Sequence, residues 1–249
     1  MRDNANISVI VTSALFVDSD GILKDQPVGI RVERLLKTLD FLKPFVFGKI
    51  IILDSTITGT HESLTSIALT YNAQIYTAKR NLIAVENEYQ IYGPSRLEID
   101  LIHSSADFLK KELKPDGFVI KLSAGYVIKN LDQLLAKTAH GIVFRFGNPA
   151  RMKIRFCLSC FYLMPTATFL KFDAYCFENL ANVAKLKPLE SHLYDFIKTI
   201  ETNAISISYP DVEAKFLSSN QSSADFNHQL KQKVYSILSL LGLYAFEVR

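Results

Sequence analysis

An α/β fold built on a mostly parallel sheet is the class this sequence predicts, and three observations carry the prediction. Continuous apolar runs of strand length recur at 7–12, 48–56, 73–78 and 118–122. Between them lie segments whose apolar residues fall at helical spacing. A strand buried on both faces reads as an unbroken hydrophobic run, and strands of that kind alternating with helices make a parallel sheet covered on both sides. The expected architecture is therefore a mostly parallel central sheet flanked by helices, with a small antiparallel portion and C-terminal helices.

In chain order, "ISVIVT" is the first strand, rich in β-branched residues. The stretch 29–45 carries Ile30, Leu35, Leu36, Leu39 and Leu42 near helical spacing, and Pro44 ends it. "GKIIILDST" is a buried strand closing on Asp54. Residues 61–72 read as a helix and 73–78 as a short strand. The stretch 95–113 reads as one helix with Leu97, Leu101, Ile102, Phe108 and Leu109 inward, and Pro115-Asp116-Gly117 is turn chemistry. "FVIKLSAGYVIKNL" then gives a strand, Phe118 to Leu122, and a break of small residues, Ser123-Ala124-Gly125. Small residues let another group approach the backbone closely, and a ligand is the expected visitor. Beyond residue 140 the alternation loosens. "GIVFRFG" and the stretch 155–172 read as further strands, partly antiparallel, and 189–201 and 226–246 as helices.

The chain has 249 residues and shows no internal repeat, low-complexity tract or linker. A single domain over 1–249 is expected, with 205–249 as a helical extension packed on it. The net charge of +3 is spread along the chain, apart from a local basic stretch of Arg145, Arg151, Lys153 and Arg155. That is not the clustered excess of a nucleic-acid binder. Three cysteines, Cys157, Cys160 and Cys176, fit a reducing cytoplasm better than a disulfide framework. Cys157 and Cys160 form a C-x-x-C on a strand, where positions i and i+3 face opposite ways and chelate poorly. No run is long enough to span a membrane, and the N-terminus reads as a first strand, not a signal peptide. The expected setting is the cytoplasm, including the inner face of the membrane.

Ligands of open α/β sheets bind beyond the carboxyl ends of the strands. Those ends carry Thr12-Ser13-Ala14, Asp54-Ser55-Thr56 and Lys121 through Tyr126, and the loop before the 95–113 helix carries Tyr92-Gly93-Pro94-Ser95-Arg96. Asp54 is placed to accept from a base or ribose, or to cap its turn. Arg96 opens a helix, where a cation opposes the dipole, which favours a ligand role.

This order of elements resembles the GT-A glycosyltransferase fold over about residues 5–200. The stretch "KLSAGYVIKN" is also similar to a K-[LT]-T-G-R-Y-x-[IV]-x-N pattern of bacterial capsule and lipopolysaccharide glycosyltransferases, where it stands in place of D-x-D. It matches at Lys121, Tyr126, Ile128 and Asn130, with Ser123 for threonine, and departs at Gly125, where the pattern has arginine. The resemblance implies transfer of a sugar from a nucleotide-activated donor to a glycan hydroxyl in surface-polysaccharide assembly. It implies donor contacts at Thr12, Ser13, Asp54, Arg96, Lys121, Ser123 and Tyr126. Lys121 and Arg96 would offset the charge of the departing diphosphate. Glu190, at the start of a helix, would be the general base of an inverting enzyme, with His192 beside it.

No metal is expected at Ser123–Gly125, which offers no carboxylate. Asp18-Ser-Asp20 is formally D-x-D but reads as a turn before Gly21. No cofactor is certain beyond the donor itself, and a divalent metal stays open as an alternative, though not at a D-x-D site. The last helix, apolar over "YSILSLLGLYAF", is expected to dock on the core, with a membrane surface or a second copy as alternative partners. A nucleotidyltransferase making such donors should carry a glycine-rich loop after the first strand, where only Gly21 stands. A degenerate fold serving as a binding or scaffold domain is the third reading, and the missing D-x-D and Gly125 favour it.

Overall fold

The computed structural model describes residues 4–15, 28–55, 62–78, 97–136, 143–146, 157–179, 189–200 and 212–214. Their elements run β1 Asn4–Ser13, α1 Val28–Leu42, β2 Phe47–Asp54, α2 Glu62–Thr70, β3 Gln74–Thr77, α3 97–104, α4 Ala106–Glu112, β4 Phe118–Ser123, β5 Tyr126–Ile128, α5 Leu131–Leu135, β6 Val143–Phe146, β7 Cys157–Pro165, α6 Thr166–Glu178, α7 Leu189–Lys198 and β8 Val212–Ala214.

Six strands form one sheet in the order β3-β2-β1-β4-β7-β6. The first four are mutually parallel, and β7 runs antiparallel to both β4 and β6. The predicted class therefore holds: a mostly parallel sheet with an antiparallel margin.

Period-two alternation sends the two sides of each strand into separate cores. On one face, Ile10, Ile51, Leu53, Val119, Tyr162 and Met164 pack with residues of α3, α4, α6 and α7, including Leu101, Leu109, Phe172 and Leu193. On the other, Val9, Val11, Ile52, Ile120 and Leu122 meet Leu35, Leu39 and Leu42 of α1, Leu64 of α2 and Leu131 of α5.

Three elements differ from the sequence reading. The expected strand over 155–172 stops at Pro165, and Thr166 opens helix α6. Phe169, Phe172 and Cys176 are among its buried residues, at helical spacing that the neighbouring threonines and aromatics had masked. The expected 95–113 helix is divided at Ser105. The hydroxyls of Ser104 and Ser105 donate back to the carbonyls of Leu101 and Ile102 at 2.9 and 2.7 Å, competing with the helical ladder. Finally, Tyr126–Ile128 pairs antiparallel with Val212–Ala214 as a second, two-stranded sheet. That strand is the described portion of 205–249; the helix expected at 226–246 lies outside the described residues.

Candidate functional site

Register brings the candidate residues to one edge. Thr12 of β1 pairs with Leu53 on one side and Ser123 on the other, and Ser13 pairs with Asp54. The chain leaves β1 toward β2 and β3, then returns to place β4 on the opposite side of β1. The β1/β4 junction is thus the point where strand order reverses, and a crevice opens at the carboxyl ends of such a pair.

Below that junction lies a polar cluster on the α3/α4/α6/α7 face. Lys121 sits two residues before the end of β4, and its side chain is 0% exposed. Its ammonium forms an ion pair with Glu98 of α3, donates to Ser123 Oγ at 2.8 Å and lies 5.8 Å from the centroid of the Tyr162 ring. That ring face attracts a cation. Thr12 Oγ1 donates to the same oxygen, Glu98 Oε1, at 2.8 Å. Burial, followed by the negative charge of Glu98, holds the Tyr162 phenol well above its ordinary range, so the hydroxyl stays neutral.

On the opposite face, Asp54 is fully buried at the end of β2. Ser13 Oγ donates to its Oδ2 at 2.5 Å, and the Leu15 amide donates to the same oxygen at 3.0 Å. Arg31, in the first turn of α1, is also buried and donates from Nη1 to the Ala14 carbonyl at 3.0 Å. Burial lowers the guanidinium pKa, and the nearby Asp54 charge acts to raise it. Asp54 thereby fixes the chain where it leaves β1.

The small-residue break has a structural occupant. Gly125 adopts φ +92°, a conformation that disfavours side chains. Its amide donates to Thr38 Oγ1 at 2.9 Å and to the Arg34 carbonyl at 3.1 Å. A Cβ there would come within 3.2 Å of the Arg34 side chain. The visitor for which the backbone is kept bare is helix α1. The Ala124 amide is likewise spent on the Thr12 carbonyl, at 2.9 Å, and the Tyr126 carbonyl accepts from Thr38 Oγ1 at 3.2 Å. Residues 123–125 offer no carboxylate to a divalent cation. Among the described residues, no group of three or more His, Cys, Asp or Glu side chains gathers to hold a metal.

Glu190 lies in the first turn of α7. His192 is 3% exposed and sits in the aromatic layer beside Tyr175, ring centroids 6.4 Å apart, so its ring is enclosed. Arg96, Asp18 and Asp20 lie outside the described residues. Cys157 and Cys160 both fall on β7, and Cys160 and the buried Cys176 are free thiols. Burial raises the Cys176 thiol pKa, keeping it protonated. No described helix is long and apolar enough to cross a membrane.

The sequence reading passed over Glu98 and Arg31. Glu98 had a signal: it stands on the same helical stripe as the inward-facing Leu101 and Ile102, where a carboxylate needs a partner.

No protein-family model and no curated protein matches the chain. Among solved structures, it is similar to CTP:phosphocholine cytidylyltransferase (LicC) from Streptococcus pneumoniae, with 11% identity, a TM-score of 0.48, and coverage of 90% of this chain and 99% of that one. It is also similar to an active-site mutant of LgtC, with 7% identity, a TM-score of 0.46, and coverage of 81% and 72%. The galactosyltransferase LgtC in complex with donor and acceptor sugar analogues gives 8% identity, a TM-score of 0.44, and coverage of 81% and 73%. At these values the likeness concerns the path of the chain, and no residue role is transferred from it.

Proposed function

We propose that this chain is a glycosyltransferase that binds a nucleotide-activated sugar at the carboxyl edge of β1, β2 and β4 and transfers the sugar to a glycan hydroxyl in bacterial surface-polysaccharide assembly. The observation that carries the reading is the Thr12–Ser123 pairing at the reversal of strand order, with the Ser13–Asp54 pair beside it. In this reading the end of β1 and Asp54 support the nucleoside, and Ser123 and Tyr126 border the sugar. Lys121 forms the floor of the site through Glu98, and Arg96 faces the diphosphate. Because the Lys121 charge is matched by Glu98, Arg96 and not Lys121 offsets the leaving group. The acceptor oxygen bonds to the anomeric carbon as the bond to the diphosphate breaks, and Glu190 takes the acceptor proton.

The test is a panel of nucleotide sugars, assayed for binding by calorimetry and for release of nucleoside diphosphate. The expected result is binding of at least one donor with slow diphosphate release that survives a chelator. Failure to bind any donor would favour the scaffold reading. Pyrophosphate release from a nucleoside triphosphate and a sugar phosphate would establish the nucleotidyltransferase reading instead.

A further inference from the structure

Glu98 has a geometry that the fold alone does not require. Its two described bonds, from Thr12 Oγ1 and the Lys121 ammonium, both fall on Oε1. Among the described residues Oε2 receives none. The side chain is 20% exposed while its lysine partner is fully enclosed, so the pair opens outward through the carboxylate alone. Both groups that hold it stand at the β1/β4 junction, since Thr12 pairs with Ser123 and Lys121 with Ile10. A carboxylate fixed through one oxygen and open at the other is a preorganised acceptor. It is acceptor-only, and accepting from two neighbouring hydroxyls suits its lone pairs. An anionic phosphate would be repelled by the same group.

We propose that Glu98 is a specificity-determining residue that accepts hydrogen bonds from a vicinal hydroxyl pair of the bound nucleotide sugar, with Lys121 and Thr12 as the positioning residues that aim it. The inference deepens the proposed function and rests on it. The hydroxyls belong either to the ribose or to the transferred sugar, and the two share this chemistry.

Affinities for nucleoside diphosphates, their 2′-deoxy counterparts, the corresponding nucleotide sugars and nucleotide deoxysugars, measured by calorimetry, test it. Removing both charges in Glu98→Gln/Lys121→Met avoids stranding a buried ammonium. The wild-type protein should prefer a hydroxyl-bearing ligand over its deoxy analogue by roughly tenfold or more, the scale of a charge-assisted hydrogen bond. The double variant should lose most of that preference while still binding the deoxy ligand. Loss already seen between nucleoside diphosphates and their 2′-deoxy forms assigns the ribose; loss seen only between a nucleotide sugar and its deoxysugar counterpart assigns the sugar. Should the double variant not fold, Thr12→Val removes one of the two aiming bonds and should narrow the preference partway. Undiminished preference in a folded variant overturns the role of Glu98 and leaves the proposed function standing. Absence of any nucleotide binding by the wild-type protein overturns both.

Discussion

The two polar clusters at the carboxyl edge solve the same problem in different ways. On one face Lys121 is answered by an opposite charge, Glu98, together with the Ser123 hydroxyl and the Tyr162 ring. On the other, the two described hydrogen bonds to the Asp54 carboxylate come from neutral donors, the Ser13 hydroxyl and the Leu15 amide, with Arg31 nearby. A charge matched by a charge is vulnerable to the loss of either partner, because the survivor is left unpaired in a dry site. A charge held by dipoles sheds its support one bond at a time. The first arrangement suits a group that must present one fixed oxygen, and the second suits an anchor for the backbone.

The largest effect expected from this contrast is in Glu98→Ala. It strands the Lys121 ammonium and should cost about 3–5 kcal/mol of stability, read as a lowered denaturant midpoint with unchanged slope. Adding Lys121→Met should restore most of the loss. If the single variant is as stable as the wild type, the lysine is not held by that pair. Next comes Asp54→Ala, which leaves the buried Leu15 amide without its acceptor and should cost about 1–3 kcal/mol, and here no compensating charge deletion should rescue it. Rescue by Arg31→Met would show that the second cluster is ionic after all.

Gly125→Ala should cost about 1–2 kcal/mol through its left-handed backbone and the close approach of Arg34. Arg34→Ala in the same chain should recover the steric share and not the conformational one. The smallest effect is expected well away from the edge, at Asp173. Burial raises its carboxyl pKa above the ordinary range, while His103, bonded at 3.2 Å, and Lys110 pull it down. The folded protein therefore holds this proton more tightly than the unfolded chain. The stability it contributes is full below the ordinary carboxylate range and declines as pH rises through the folded value. Thermal midpoints measured from acid to neutral pH should show that decline flattened in Asp173→Asn. An unchanged profile would mean that another group sets it.

Strands β1, β2 and β4 were legible because burial on both faces leaves an apolar run that admits little else, as at Ile50–Leu53 and Phe118–Leu122. Their shared edge followed from chain order. The partners across that edge were not legible. The Lys121–Glu98 pair depends on where a helix lands on the sheet, and nothing in the local pattern of either residue announces the other. The same holds for Gly125, whose neighbour Arg34 belongs to an element far away in sequence. Helix α6 was misread for a local reason: threonine and phenylalanine favour strands in isolation, and packing against the sheet overrode them. Glu190 fell in the first turn of a helix as expected, whereas Tyr126 opens a separate strand, and the placement of His192 turned on burial that its position in a helix could not reveal.

The position of β1 between β2 and β4 also bears on how the protein assembles in time. Strands β1, β2 and β3 follow one another in the chain, so their pairing closes shorter stretches of chain. The β1/β4 pairing instead joins residues about a hundred positions apart, and long closures of this kind slow folding. The candidate crevice lies along that late seam. A chain arrested before the seam closes would hold half of the site and grip nothing. Ligand added to refolding chains should therefore act after the rate-limiting step, slowing unfolding while leaving the refolding rate unchanged.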